Sequence, residues 1–244
     1  MAGELILIVD DTPVNLKLTR LLLAGEGFKT ITAASAEEAM ELLRTHHPAL
    51  VLADIQLPGM DGLEMARRIK HGQTTADIGV IALTAYASPA DQRKAMDAGC
   101  DGYITKPIDT REMGARLRAY LDSRAAAAPA SPKPDSPAHE HAETTVARAI
   151  PAAEMHALRQ RFLIEGLERL GRYMAELDGR FPADEAARAV HQWVGTGGLL
   201  GYADISRLAR EAEAVLRERP LDNAELRELL SALETAFRNP PDLA

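Results

Sequence analysis

The chain opens on a short apolar run that stops on two acids, Ile6-Leu7-Ile8-Val9-Asp10-Asp11. Leu50-Val51-Leu52-Ala53 stops on Asp54, Val80-Ile81-Ala82-Leu83 stops on Thr84, and Tyr103-Ile104-Thr105 is followed by Lys106. Each run is apolar on both faces and separated from the next by a helix-length stretch, the pattern of buried parallel strands. Ligands of such sheets bind at the carboxyl ends of the strands. Asp10, Asp11, Asp54, Thr84 and Lys106 are therefore expected on one edge, as one site.

Strands are predicted over 4–9, 28–33, 49–53, 78–83 and 102–105, and helices over 12–25, 35–46, 61–71, 88–97 and 109–122. Ser35 with Glu38 three residues on is a capping box, and Pro13 suits a first helical turn. Pro58-Gly59-Met60-Asp61-Gly62 reads as a turn into a helix. Five βα units of this kind make a doubly wound α/β domain with a five-stranded parallel sheet over residues 1–122. Residues 123–150 are rich in alanine, proline and serine and lack apolar periodicity, as a linker does. His139-Glu140-His141 within it is read as solvated linker, since no third or fourth metal ligand stands beside it. Over 151–244 the signals are helical, near 151–179, 183–201, 203–219 and 222–238. Breaks at Gly179/Pro182, Gly201/Tyr202 and Pro220 suggest an antiparallel four-helix bundle.

Composition narrows the class. No apolar run approaches the ~18 residues that cross a bilayer, and Glu4 precedes the first strand directly, so neither a membrane span nor a signal peptide is expected. The single cysteine, Cys100, excludes an internal disulfide and fits a cytoplasmic protein. A net charge of -8 argues against nucleic-acid binding through a broad basic face. The Arg/Glu alternation over 203–219 (Arg207, Arg210, Glu211, Glu213, Arg217, Glu218) reads as a solvated face and not a phosphate-binding stripe.

Three carboxylates in one pocket repel, and either raise a pKa or require a cation. Oxygen-only ligands beside a phosphate favour magnesium. The Thr84 hydroxyl and the Lys106 ammonium supply donors for the peripheral oxygens of a phosphoryl group. One carboxylate is then free to act as nucleophile and form an acyl phosphate. Singly, such acids more often cap helices and solvate loops; the joint pattern makes the site.

These residues resemble the receiver domain of two-component response regulators over the whole of 4–122. The resemblance is carried by Asp10-Asp11, by Asp54-Ile55-Gln56-Leu57-Pro58-Gly59-Met60-Asp61-Gly62, by Thr84-Ala85, and by Tyr103 with Lys106-Pro107. It implies a flavodoxin-like fold, Asp54 as phosphoacceptor, and magnesium held by Asp10, Asp11, Asp54 and the carbonyl of Gln56. It further implies that Thr84 and Lys106 bind the phosphoryl group, that Tyr103 swings inward as Thr84 moves, and that the bond before Pro107 is cis. Gln56 and Tyr86 are implied to tune the phosphoryl lifetime.

In the helical half, Ala186, Ala189, Trp193 and Leu200 share one face at about 100° per residue. His191 lies opposite, with Gly195 and Gly198 along its stripe. The imidazole is thus expected to point away from the bundle core, exposed, beside bare backbone. Glycines at 195, 197 and 198 each cost ~1 kcal/mol against alanine, which suits either close approach by a docking surface or tight packing on a neighbouring helix. About 90 residues here resemble a histidine phosphotransfer domain, with His191, Gly195, Thr196 and Gly201 matching its motif. Val194 stands where that family often carries lysine, on the wheel beside His191, so a phosphoryl-steadying charge is missing.

Three functions compete on these grounds: a phosphorelay protein moving phosphate among a kinase, Asp54 and His191; a phosphorylation-controlled docking switch whose bundle carries no phosphate; and an aspartyl phosphatase. The last lacks the Asp-x-Asp pair, because Gln56 follows Asp54 by two. The first implies catalysis limited to the chain's own phosphorylation and dephosphorylation. The partners implied are a histidine kinase and other receiver or phosphotransfer proteins, with no nucleic acid or membrane, and a homodimer left open. About 26 linker residues span on the order of 25–30 Å, which permits Asp54 and His191 to meet within one chain.

Overall fold

The computed structural model describes residues 3–84, 89–106, 108, 112–127, 151–218 and 221–241. The strands are β1 (Leu5–Val9), β2 (Lys29–Ala33), β3 (Leu50–Asp54), β4 (Gly79–Thr84) and β5 (Gly102–Thr105), interleaved with α1 (Pro13–Gly25), α2 (Ala36–Leu42), α3 (Gly62–His71), α4 (Pro89–Asp97) and α5 (Met113–Ala127). All pairings are parallel in the order β2-β1-β3-β4-β5. The order reverses beside β1, so the ends of β1 and β3 flank the switch point where such sheets bind ligands.

Alternation along the strands divides the core. Ile6, Ile8, Leu50, Leu52, Ile81 and Leu83 face Leu18 and Leu23 of α1 and Leu117 of α5. Leu7, Val9, Val51, Ala53, Val80 and Ala82 face α2, α3 and α4 through Ala39, Met65, Ile69 and Ala95. The capping box at α2 forms, with Glu38 N–H donating to Ser35 Oγ at 3.2 Å and Ala34 N–H to the Glu38 carboxylate at 2.7 Å. Asp61 caps α3 by accepting from Glu64 N–H at 2.7 Å. Gly62 begins α3 against β3, where a Cβ would lie 2.1 Å from the Asp54 carbonyl oxygen. Only glycine allows that approach.

Four helices follow: α6 (Ala152–Glu176), α7 (Ala183–Leu200), α8 (Ala203–Arg217) and α9 (Asn223–Arg238). Trp193 of α7 packs edge-on against Phe237 of α9, which tilts against Phe162 of α6. Ala186, Ala189, Trp193 and Leu200 are buried together, as their shared face requires. The two halves are not separate. The core layer under α1 and α5 runs on into the bundle, and α1 packs on α7. Among the described residues no helix is long and apolar enough to cross a membrane.

Candidate functional site

The strand ends deliver the acids as expected. Carboxylate oxygens of Asp10, Asp11 and Asp54 lie within 4.8 Å of one another. Lys106 reaches in from beyond β5, its Nζ 2.5 Å from Asp54 Oδ2 and 3.6 Å from Asp10 Oδ2. Its backbone is fixed to the end of β4, where its N–H donates to the Thr84 carbonyl at 2.7 Å. Thr84 is buried at the same edge. Gln56 N–H donates to Asp54 Oδ1 at 3.1 Å. Asp10 accepts from Thr12 N–H at 2.9 Å and from Asn15 Nδ2 at 3.1 and 3.2 Å. Tyr103 is half-buried against the α2–α4 layer. Tyr86, the bond before Pro107 and His139-Glu140-His141 lie outside the described residues.

The bundle closes over this pocket. His191 Nε2 stands 3.7 Å from Asp54 Oδ2, beyond hydrogen-bond reach but close enough for strong charge attraction. Its Nδ1 is 3.0 Å from Glu213 Oε1 of α8. His191 does point away from the Trp193 face, but it is not exposed: the receiver edge and Glu213 leave it 8% accessible. The solvated face expected over 203–219 also needs correction. Glu213 is buried, and Arg210 donates to the Lys106 carbonyl across the seam. Sequence reasoning missed Glu213; the stripe Ser206, Arg210, Glu213 at i, i+4, i+7 was the available signal. Val194 is wholly buried in the apolar core, where its side chain is a packing group.

The glycines divide between the two uses open to them. A Cβ on Gly195 would meet Asn15 Nδ2 at 3.2 Å and Lys106 Nζ at 3.3 Å, both from the α/β half. One on Gly197 would meet Ser206 Oγ at 2.8 Å, within the bundle.

Charge in the pocket is unevenly shared. Burial alone would raise every carboxylate pKa. For Asp54 the Lys106 ammonium and the His191 ring outweigh burial and hold it down to about 2. Asp10 is pushed up to about 6, by burial that the more distant Lys106 does not offset and by the Asp54 charge. Asp11 is raised by burial and by Asp54. Burial would lower Lys106 and His191, but the carboxylates prevail: Lys106 is raised, and His191 is pushed up to about 9 by Asp54 and Glu213. The donor set is all oxygen with surplus negative charge, which fits a hard divalent cation.

A parallel sheet with an acidic trio, a threonine and a lysine at its carboxyl edge defines a receiver-type module, here joined to a helical histidine module. Residues 6–118 match the response regulator receiver domain and residues 157–239 match the Hpt domain. The chain is 40% identical over 116 residues to the polar-differentiation response regulator DivK of Brucella ovis, covering 48% of this chain and 94% of that protein. The Brucella anthropi protein of the same name is 39% identical over 116 residues. A CheY-like receiver domain protein from Methanospirillum hungatei aligns with 31% identity and a TM-score of 0.48, covering 52% of this chain and 100% of that one. The chain belongs to the response regulator family. Its receiver and Hpt modules make it a two-component phosphorelay protein.

Proposed function

We propose that Asp54 accepts a phosphoryl group from a histidine kinase or another phosphotransfer protein and exchanges it with His191 of the same chain. In this reading residues 1–122 are the receiver, 123–150 a tether and 151–244 the phosphotransfer module. Asp10, Asp11, Asp54 and the Gln56 carbonyl would hold magnesium, which neutralises charge on the phosphoryl oxygens. Thr84 and Lys106 donate to those oxygens, and Tyr103 follows Thr84 as the switch. Chemistry is confined to the chain's own phosphorylation and dephosphorylation.

The observation that carries the reading is the 3.7 Å approach of His191 Nε2 to Asp54 Oδ2, with Nδ1 held by Glu213. For transfer to histidine, Nε2 first gives up its proton to solvent; its lone pair then forms the N–P bond in line as the Asp54 O–P bond breaks, the electron pair of that bond returning to the carboxylate. The Nδ1 proton stays on the ring and is stabilised by the Glu213 carboxylate. The reverse transfer retraces these steps. The charge absent at position 194 is supplied in this arrangement by Lys106, which lies against Gly195.

The test is to label the chain with phosphoramidate and magnesium, remove the donor, and map phosphate over time by mass spectrometry. Acyl phosphate at Asp54 followed by phosphate at His191 is the expected course, and chelating the metal should stop the labelling. Phosphate that never reaches His191 would return the bundle to a docking role. Mixing Asp54→Ala and His191→Gln chains isolates transfer in trans. Transfer found there, but absent within a chain carrying both residues, would remove the intramolecular version.

A further inference from the structure

We propose that the Hpt module is also a built-in cap, which competes with external phosphodonors for the single seat above Asp54; this rests on Asp54 being the acceptor. Any donor histidine must bring its imidazole up to an Asp54 oxygen, and His191 Nε2 already stands 3.7 Å from Asp54 Oδ2. Three of the pocket side chains are almost wholly buried, while Asp11 keeps partial access. Asp54 is 1% exposed, Lys106 2% and Asp10 3%.

Among the described residues the cap is held by the apolar packing of α1 on α7 and by a small set of polar contacts. Thr196 donates to Asn15 Oδ1 at 2.8 Å, Arg210 donates to the Lys106 carbonyl, and Lys17 pairs with Glu154. The Lys17–Glu154 pair is about two-fifths exposed, with side-chain accessibilities of 42% and 40%, and contributes little. A cleft of 320 Å³, lined in part by Thr12, Phe162, Gln192 and Trp193, runs along the seam. A seam that mixes polar with apolar contacts and is incompletely filled is typical of domain contacts that open. Only the open fraction of molecules would meet an outside donor, so the apparent rate of phosphorylation scales with that fraction.

Gly195 offers a clean way to open the seam. The three atoms nearest its added Cβ all belong to the receiver half, so the bundle itself has room for a side chain there. Leucine is also a better helix former than glycine. Gly195→Leu should therefore leave the bundle folded while blocking the seat, and Thr196→Asp should do the same by facing a carboxylate toward Asn15 and Asp10. The experiment compares both full-length variants with the parent chain, using hydrogen exchange along α1 and the rate of Asp54 labelling by phosphoramidate with magnesium. Faster exchange of α1 together with labelling accelerated by about tenfold or more, through the larger open fraction, is expected for both. Equal labelling despite freed α1 would overturn the cap, and so would α1 exchange that neither variant changes. Absence of label from parent and variants alike would overturn the acceptor reading itself, and the cap with it.

Discussion

Thr196 donates its hydroxyl hydrogen to Asn15 Oδ1 while Asn15 Nδ2 donates to the Asp10 carboxylate, so one amide links the helical module to the acidic pocket. Both side chains are buried. In Asn15→Ala and Thr196→Val chains, urea unfolding should show losses of about 1–3 kcal/mol each, the cost of leaving a buried polar partner unsatisfied. The double variant should lose less than the sum, with a coupling of about 0.5–1.5 kcal/mol. Strict additivity would mean that the bond does not form in solution.

Glu213 holds the imidazole by Nδ1 and so decides which nitrogen faces Asp54. Glu213→Ala should slow passage of phosphate between Asp54 and His191 by roughly 10–100-fold, as loss of an orienting partner commonly does. Glu213→Gln, which keeps an acceptor oxygen, should recover part of that rate. Rapid-quench sampling of label at the two sites measures both.

Gly62 has no room for a methyl group. Its Cβ would collide with the Asp54 carbonyl, and the obstacle is backbone. Gly62→Ala should cost about 1–3 kcal/mol or more and lower the thermal midpoint. On the proposed reading it should also weaken magnesium binding, because the displaced backbone carries Asp54.

Burial pushes the Cys100 thiol up to about 11 from a reference of 9.0. The native fold holds that proton more tightly, so this group favours folding below pH 9 and loses its contribution as pH rises from 9 toward 11. At pH 8 the thiolate fraction should be about 100-fold lower than in unfolded chain. Alkylation by iodoacetamide should be slower in the native protein by at least that factor. Equal rates before and after denaturation would place Cys100 at the surface.

The strands, the helices of both halves and the five pocket residues were legible because each is set by local pattern: buried runs, caps, and polar residues at strand ends. Helix ends were less so. α2 stops at Leu42 although helical residues were expected through 46, because the chain leaves the helix in a turn before Pro48. The direction of His191 followed from helical periodicity, but its burial did not, since the groups that cover it come from β3 and α8. Glu213 looked solvated for the same reason. On its own helix it sits in an alternation of charges, and only the neighbouring helix makes it an interior residue.

The apolar layer that runs unbroken from beneath α1 into the bundle has a consequence for the covalent connection itself. A surface with its own buried core and its own polar latch can hold without the peptide that joins its two sides, whose expected contribution is proximity. A chain nicked between Ala127 and Pro151 should then behave as a split protein, whose fragments find each other again at sufficient concentration. Dilution would become the variable that sets how often His191 sits over Asp54.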